Sequence, residues 1–127
     1  MEFINTHKQF SINVPTTDMI KKVDYAGIYS GHSVDKSSLF ETTFVGGIPT
    51  VNACPISLIV KEVKRIQIEH RVILVCKVTE SYINESLVRD GTLKLDSLSS
   101  IAYGLDNRYY EIGVGIGTGY QVGNIKQ

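Results

Sequence analysis

The sequence predicts a mainly β domain with one or two helices, barrel-like or α+β in arrangement. Three observations carry this. From residue 56 onward, short apolar and β-branched runs alternate with turn residues. One amphipathic helical segment, around Asp18 to Gly27, stands among many strand-like ones. No internal repeat or low-complexity linker interrupts the 127 residues, so a single domain is expected over 1–127. A chain of this length can bury a core without metal or disulfide staples.

In chain order, residues 2–9 read as the tail of a short helix feeding a strand over Phe10–Val14. Pro15 ends that strand, and Thr16 or Thr17 can cap a helix with Asp18 in its first turn. Met19, Ile20, Val23, Ala26 and Gly27 share one side of it, and Lys21, Lys22 and Asp24 stay wet. Gly27 marks a close helix contact or the start of a break. The stretch SGHSVDKSS (30–38) is polar and turn-rich, hence an exposed loop. Ile56–Ile68 is apolar on even positions at both ends, and Val63 breaks the phase, which suggests a bulge or bend. Val72–Val78 is apolar on both faces and reads as a central strand. Glu69-His70-Arg71 joins the two into a long hairpin. Asp90-Gly91 is a turn, Leu93–Leu98 a helical turn, and GLDN a further turn before a strand over Arg108–Ile112.

Composition narrows the partners. Thirteen Lys and Arg balance thirteen Asp and Glu, and the densest basic cluster, Lys61 to Arg65, is broken by Glu62 and Val63. Nucleic acid or an acidic membrane is therefore not expected as the main partner. No apolar run approaches the roughly 18 residues of a membrane span. The first residues lack the apolar core of a signal peptide, and Cys54 and Cys76 make no framework. The expectation is a cytoplasmic protein with free thiols.

The stretch GVGIGTGY (113–120) has glycine at every second position and raises the question of a phosphate loop. A dinucleotide fingerprint needs a third glycine three residues after the second, at the mouth of a helix. Thr118 or Val122 fills that slot, and no Lys-Ser/Thr pair follows. In an extended strand the four glycines share one side, with Val114, Ile116, Thr118 and Tyr120 on the other. Such a bare face permits close approach of a backbone or a flat ring. A flexible tail explains the same residues equally well.

Self-sufficient catalytic motifs are absent. His7, His32 and His70 have no metal-ligand spacing, no Gly-x-Ser-x-Gly elbow occurs, and Cys54, before Pro55, reads as a packed thiol. Lys36 stands in the polar loop, where a lysine can act as a point charge for phosphate. His70 sits at the hairpin mouth, where it can donate to a ligand. Tyr120 can stack on a planar ring. Taken singly, each is as well explained by solvent or terminal packing.

Together, FSINVP (10–15), VDYAGIYSGHSVDKSSLFE (23–41), ACPISLIVKEV (53–63), IEHRVILVCKV (68–78), DGTLKLDSLSSIAY (90–103) and RYYEIGVGIGTGY (108–120) resemble the flavin reductase-like family of FMN-binding split barrels, especially its flavoredoxin branch. The resemblance implies a split β-barrel, an FMN cofactor in a cleft near a subunit interface, and a homodimer. Lys36 falls on the lysine of the family's Asp-Lys loop, His70 on its hairpin histidine, and Tyr120 on a C-terminal aromatic beside the isoalloxazine. It also implies electron transfer or flavin reduction, with NAD(P)H or a protein as donor. Two departures are local: Cys76-Lys77 replaces a common Gly-Glu, and the tail has extra glycine. A larger one is that the chain starts where the family's first helix begins. The opening strands, with Asn, Trp, Arg and Thr positions that contact FMN, have no counterpart here. A barrel so shortened exposes unpaired edges, which its tail, a second copy or another chain must cover. The alternative is thus a flavin-free truncated barrel that serves as a dimer or assembly partner.

Overall fold

Phe10, Ile12 and Val14 alternate with Ser11 and Asn13, a period of two that suits a strand with apolar and polar faces. In the computed structural model, which describes residues 8–29 and 38–125, this segment is β1 (Gln9–Val14). A 3-10 turn over Thr17–Met19 leads into α1 (Ile20–Ile28). There follow β2 (Thr42–Val45), β3 (Ile48–Val51), β4 (Ile56–Ile68) and β5 (Arg71–Ile83). After a 3-10 turn at Glu85–Leu87 come β6 (Val88–Arg89) and β7 (Thr92–Leu93). A last 3-10 turn, Leu95–Ser97, precedes β8 (Ile101–Tyr103) and β9 (Tyr109–Glu111). The main sheet has the order β1-β4-β5, and β2-β3, β6-β7 and β8-β9 are separate two-stranded hairpins. The fold is mainly β with one helix.

The long hairpin forms as its pattern requires, with Glu69 in the left-handed region at its tip (φ 52°). Val63 is indeed bulged: Glu62 pairs with Cys76 and Lys64 with Val75, leaving Val63 unpaired and exposed. In a regular strand residues three apart face opposite sides. The bulge resets the phase, so Arg65 meets Glu62 through Nε–Oε1 (2.9 Å) and Nη2–Oε2 (2.8 Å). The Glu62 side chain is 8% exposed, and Lys8 Nζ adds a cation at 3.7 Å. Arg65's hydrogen bond, then its charge and that of Lys8, holds the Glu62 carboxyl below the usual carboxylate range against the opposing effect of burial.

Several expectations change. Among the described residues Val72–Val78 is part of an edge strand, because β4, not β5, is paired on both sides. Its apolar residues on both faces do not mark full burial: Ile73, Val75 and Val78 are all exposed. Asp24 is half-buried, because its carboxylate accepts a hydrogen bond from the Tyr109 hydroxyl (2.8 Å), which ties α1 to β9. That bond pushes the Tyr109 hydroxyl above its usual range. Gly27 is exposed and meets no close neighbour, one residue before the helix ends. Lys8 and Gln9 are not helical, and the remainder of the expected first helix lies outside the described residues.

Two-residue turns close two hairpins. Gly46-Gly47 and Asp90-Gly91 each have positive φ at both positions, as a type I′ turn demands. The expected helical turn near Leu93–Leu98 is the 3-10 turn Leu95–Ser97. At α1, Thr16 turns its hydroxyl to the Asp18 carboxylate and caps no helix amide. Thr17 N instead donates to Ser99 O (3.0 Å), which fastens the helix start to the later chain.

The core is small. Met19, Ile48, Ile59, Val60 and Leu87 are its buried apolar side chains among the described residues. A polar knot lies against it. Asn13 Oδ1 accepts from Val51 N (3.1 Å) and Ser57 Oγ (2.7 Å), and Asn13 Nδ2 donates to Ser11 Oγ (2.9 Å). Ser11 Oγ in turn donates to Pro49 O (2.6 Å), so one carboxamide links β1, β3 and β4.

Asn13→Ala strands the Val51 amide and the Ser57 hydroxyl, so it should cost about 1–3 kcal/mol in denaturant unfolding. A loss indistinguishable from zero would remove the knot from the account. The Glu62 pairing sets an acid limb. Because its folded pKa is depressed, the contribution is complete above the unfolded value of about 4.3 and is lost as pH falls through the lower folded value. Arg65 stays protonated throughout. Glu62→Gln should flatten that limb in a stability–pH series; an unchanged limb would contradict the pairing.

Candidate functional site

Charged and aromatic side chains gather where the start of α1 faces the segment leading into β2. A cavity of about 770 Å³ opens there, bounded by Lys21, Lys22, Phe40, Glu41, Asn52 and Ala53. That volume lies within the range of small-molecule sites. Lys22 Nζ stands 6.0 Å from the centroid of the Phe40 ring, a cation held beside an aromatic face. Asn52 accepts from Thr43 Oγ1 (2.7 Å) through its carbonyl, and its NH2 group has no partner among the described residues. Asp18 and Glu41 also line the cavity, so its two ammonium groups are matched by two carboxylates, beside an aromatic ring and an amide donor.

Met19 and Phe40 also border a second, mainly apolar cavity of about 350 Å³ that reaches Val23, Val51 and Cys54. Cys54 is half-buried, and burial pushes its thiol above the usual range. That is the reverse of an activated nucleophile, in keeping with a packed thiol. No cluster of three His, Cys, Asp or Glu suited to a metal occurs among the described residues. No helix among them is long and apolar enough to cross a membrane.

Lys36, and with it the loop over 30–37, lies outside the described residues. The large cavity is bordered by Ser38, Leu39 and Phe40, directly after that loop. His70 is exposed at the tip of the β4–β5 hairpin. Tyr120 is fully exposed within turns that follow Thr118, with a left-handed φ of 64°. Neither borders any of the cavities described here. The tail runs without strand pairing from Ile112 to Thr118 and then turns, so an alternation carried through to Tyr120 is broken. Lys21, Lys22, Phe40 and Asn52 were not foreseen as site residues. Their signal is faint, because two lysines on a wet helix face look the same whether or not a cavity lies beside them.

No family profile and no curated protein matches the chain. Solved structures do. Flavoredoxin from Methanosarcina acetivorans is similar at 27% identity with a TM-score of 0.89, over 95% of this chain and 67% of that one. Flavoredoxin of Desulfovibrio vulgaris (Miyazaki F) is similar at 24% identity and a TM-score of 0.83, over 94% and 67%. An FMN-binding protein from Thermus thermophilus, with bound p-hydroxybenzaldehyde, is similar at 18% identity and 0.77, over 92% and 65%. The chain thus spans about two thirds of the length of these proteins. The resemblance drawn from its ordered sequence segments is borne out: this chain has the fold of the flavin reductase-like FMN-binding split barrels, as in flavoredoxin, over about two thirds of their length.

Proposed function

We propose that this chain binds FMN and takes part in electron transfer or flavin reduction, as a flavoredoxin-like single domain that pairs into a homodimer. The observation that carries the reading is the likeness to flavoredoxin, 27% identical over 95% of the chain. Electron chemistry would be supplied by the flavin itself, so the chain needs no acid–base triad. Its residues have to bind and orient. In this reading Lys21 and Lys22 hold anionic oxygens, Phe40 offers a ring face, and Lys36 adds a third cation from the adjacent loop. Each well-made charged hydrogen bond contributes about 1.5–3 kcal/mol. His70 and Tyr120, exposed in one copy, would reach a flavin that lies near the junction of two copies. The donor is reduced nicotinamide, NAD(P)H, or a protein. The setting is cytoplasmic, with neither nucleic acid nor membrane as partner.

Titration with FMN, followed by flavin fluorescence, tests this. Quenching should saturate, with Lys36→Ala and Lys22→Ala each weakening affinity by about tenfold or more. Tyr120→Ala should weaken it less, in line with an aromatic contact of about 0.5–1.5 kcal/mol. Absence of quenching at ~50 µM FMN, a Kd no better than about −6 kcal/mol of binding free energy, would sink the proposal and favour the flavin-free assembly role.

A further inference from the structure

The register of the long hairpin sorts its charges by face. Residues directly opposite in an antiparallel pair share a face, and successive residues alternate. Along β5 residues 71, 73, 75 and 77 share one side, so four pairs lie on one face: Lys61 with Lys77, Lys64 with Val75, Ile66 with Ile73, and Ile68 with Arg71. Lys61, Lys64, Arg71 and Lys77 are all exposed, as are Ile68, Ile73 and Val75. These four pairs carry four cations and no carboxylate. Glu62 pairs with Cys76 and belongs to the opposite face.

Lys61 and Lys77 stand directly opposite each other, and like charges so placed destabilise a strand pair. The chain does not relieve them. Among the described residues none of the four cations enters an ion pair. The acids on the neighbouring pairs are engaged elsewhere: Glu62 holds Arg65 and Lys8, and Glu80 accepts from the Tyr82 hydroxyl. The Val63 bulge contributes, because it turns Arg65 to Glu62 and leaves Lys64 on the cationic side. By the rise of a strand Lys64 stands about 7 Å along from the opposed lysines. That is inside the screening length of about 8 Å at physiological ionic strength, so the three fields add.

We propose that this face of the β4–β5 hairpin docks a different protein, through a carboxylate-rich patch on that partner. Charge complementarity selects the occupant. A cover that brought no carboxylates would bury unpaired ammonium groups, which is strongly unfavourable. A second copy laid on the face would bring the same four cations. Ile66, Ile73 and Val75 lie between Arg71 at one end and the three lysines at the other, an apolar centre with a charged rim, as protein interfaces have. A nucleic-acid backbone would use the cations and leave that centre idle. The four pairs include no aromatic anchor of the kind a membrane surface takes up. The inference rests on the electron-transfer reading above only for the partner's role, that of the protein exchanging electrons with the flavin. Such brief encounters bury little area and gain from electrostatic steering.

Fluorescently labelled poly-L-glutamate, titrated with the flavin-free chain and followed by anisotropy, stands in for the partner's carboxylates and keeps the result independent of FMN. The unaltered chain should bind it, and more weakly as salt is raised. Lys61→Glu/Lys77→Glu should weaken binding by about tenfold or more. Lys94→Glu/Arg108→Glu, the same charge change at exposed positions outside the hairpin, should leave it within about twofold. Lys61→Glu alone turns the opposed lysines into an opposite-charge pair, so it should raise the thermal unfolding midpoint while weakening binding. A misfolded variant cannot give that combination. No binding by the unaltered chain, or equal weakening by the two double variants, would overturn the proposal. Tighter binding to phosphatidylserine vesicles or to duplex DNA than to poly-glutamate would overturn it too. A chain that binds poly-glutamate but not FMN would refute the flavin reading and leave the docking face standing.

Discussion

The structure depends on β4 being held on both sides. Pairing with β1 and β5 places Ile59 and Val60 in the core and allows Asn13 to draw β1, β3 and Ser57 of β4 together. Everything else hangs from this strand or from short hairpins, each with only two strands. An isolated hairpin is marginal in water, so β2-β3, β6-β7 and β8-β9 take their stability from what they touch. The Tyr109–Asp24 bond and the Thr17–Ser99 bond show how the last third of the chain is tied to α1.

The same arrangement explains why so little apolar surface is buried. Among the described residues β4 is the one doubly paired strand, and the sheet ends at β5. The chain spans about two thirds of the length of the solved flavoredoxins. An unburied edge is thus a property of the portion of the barrel present here.

Much of the fold was legible because local chemistry settled it. The Val63 phase break announced the bulge, Asp90-Gly91 announced the hairpin, and Glu69-His70 announced the turn. Gly46-Gly47 carries the same hairpin signal, but Pro49 two residues later argues against a strand. The strand survives because, among the described residues, β3 pairs only with β2 and has no need of a donor at Pro49 on its other side. The misplacement of β5 as a central strand has a plain cause: an apolar run on both faces reports what the strand could bury, not what lies beside it. The site was less legible still. Lys36, His70 and Tyr120 were reached through family resemblance, and the cavity flanked by Lys21, Lys22 and Phe40 arises from α1 meeting residues 38–41, a contact that no local pattern encodes.

The central claim is that this portion of a split barrel holds flavin beside the start of α1. Amide hydrogen exchange with and without saturating FMN tests it most directly, since the protected peptides report both binding and place. The account predicts slower exchange in the peptides that contain Asp18–Lys22 and Ser38–Glu41. Unchanged exchange in both, at flavin concentrations that saturate flavoredoxin itself, would contradict it.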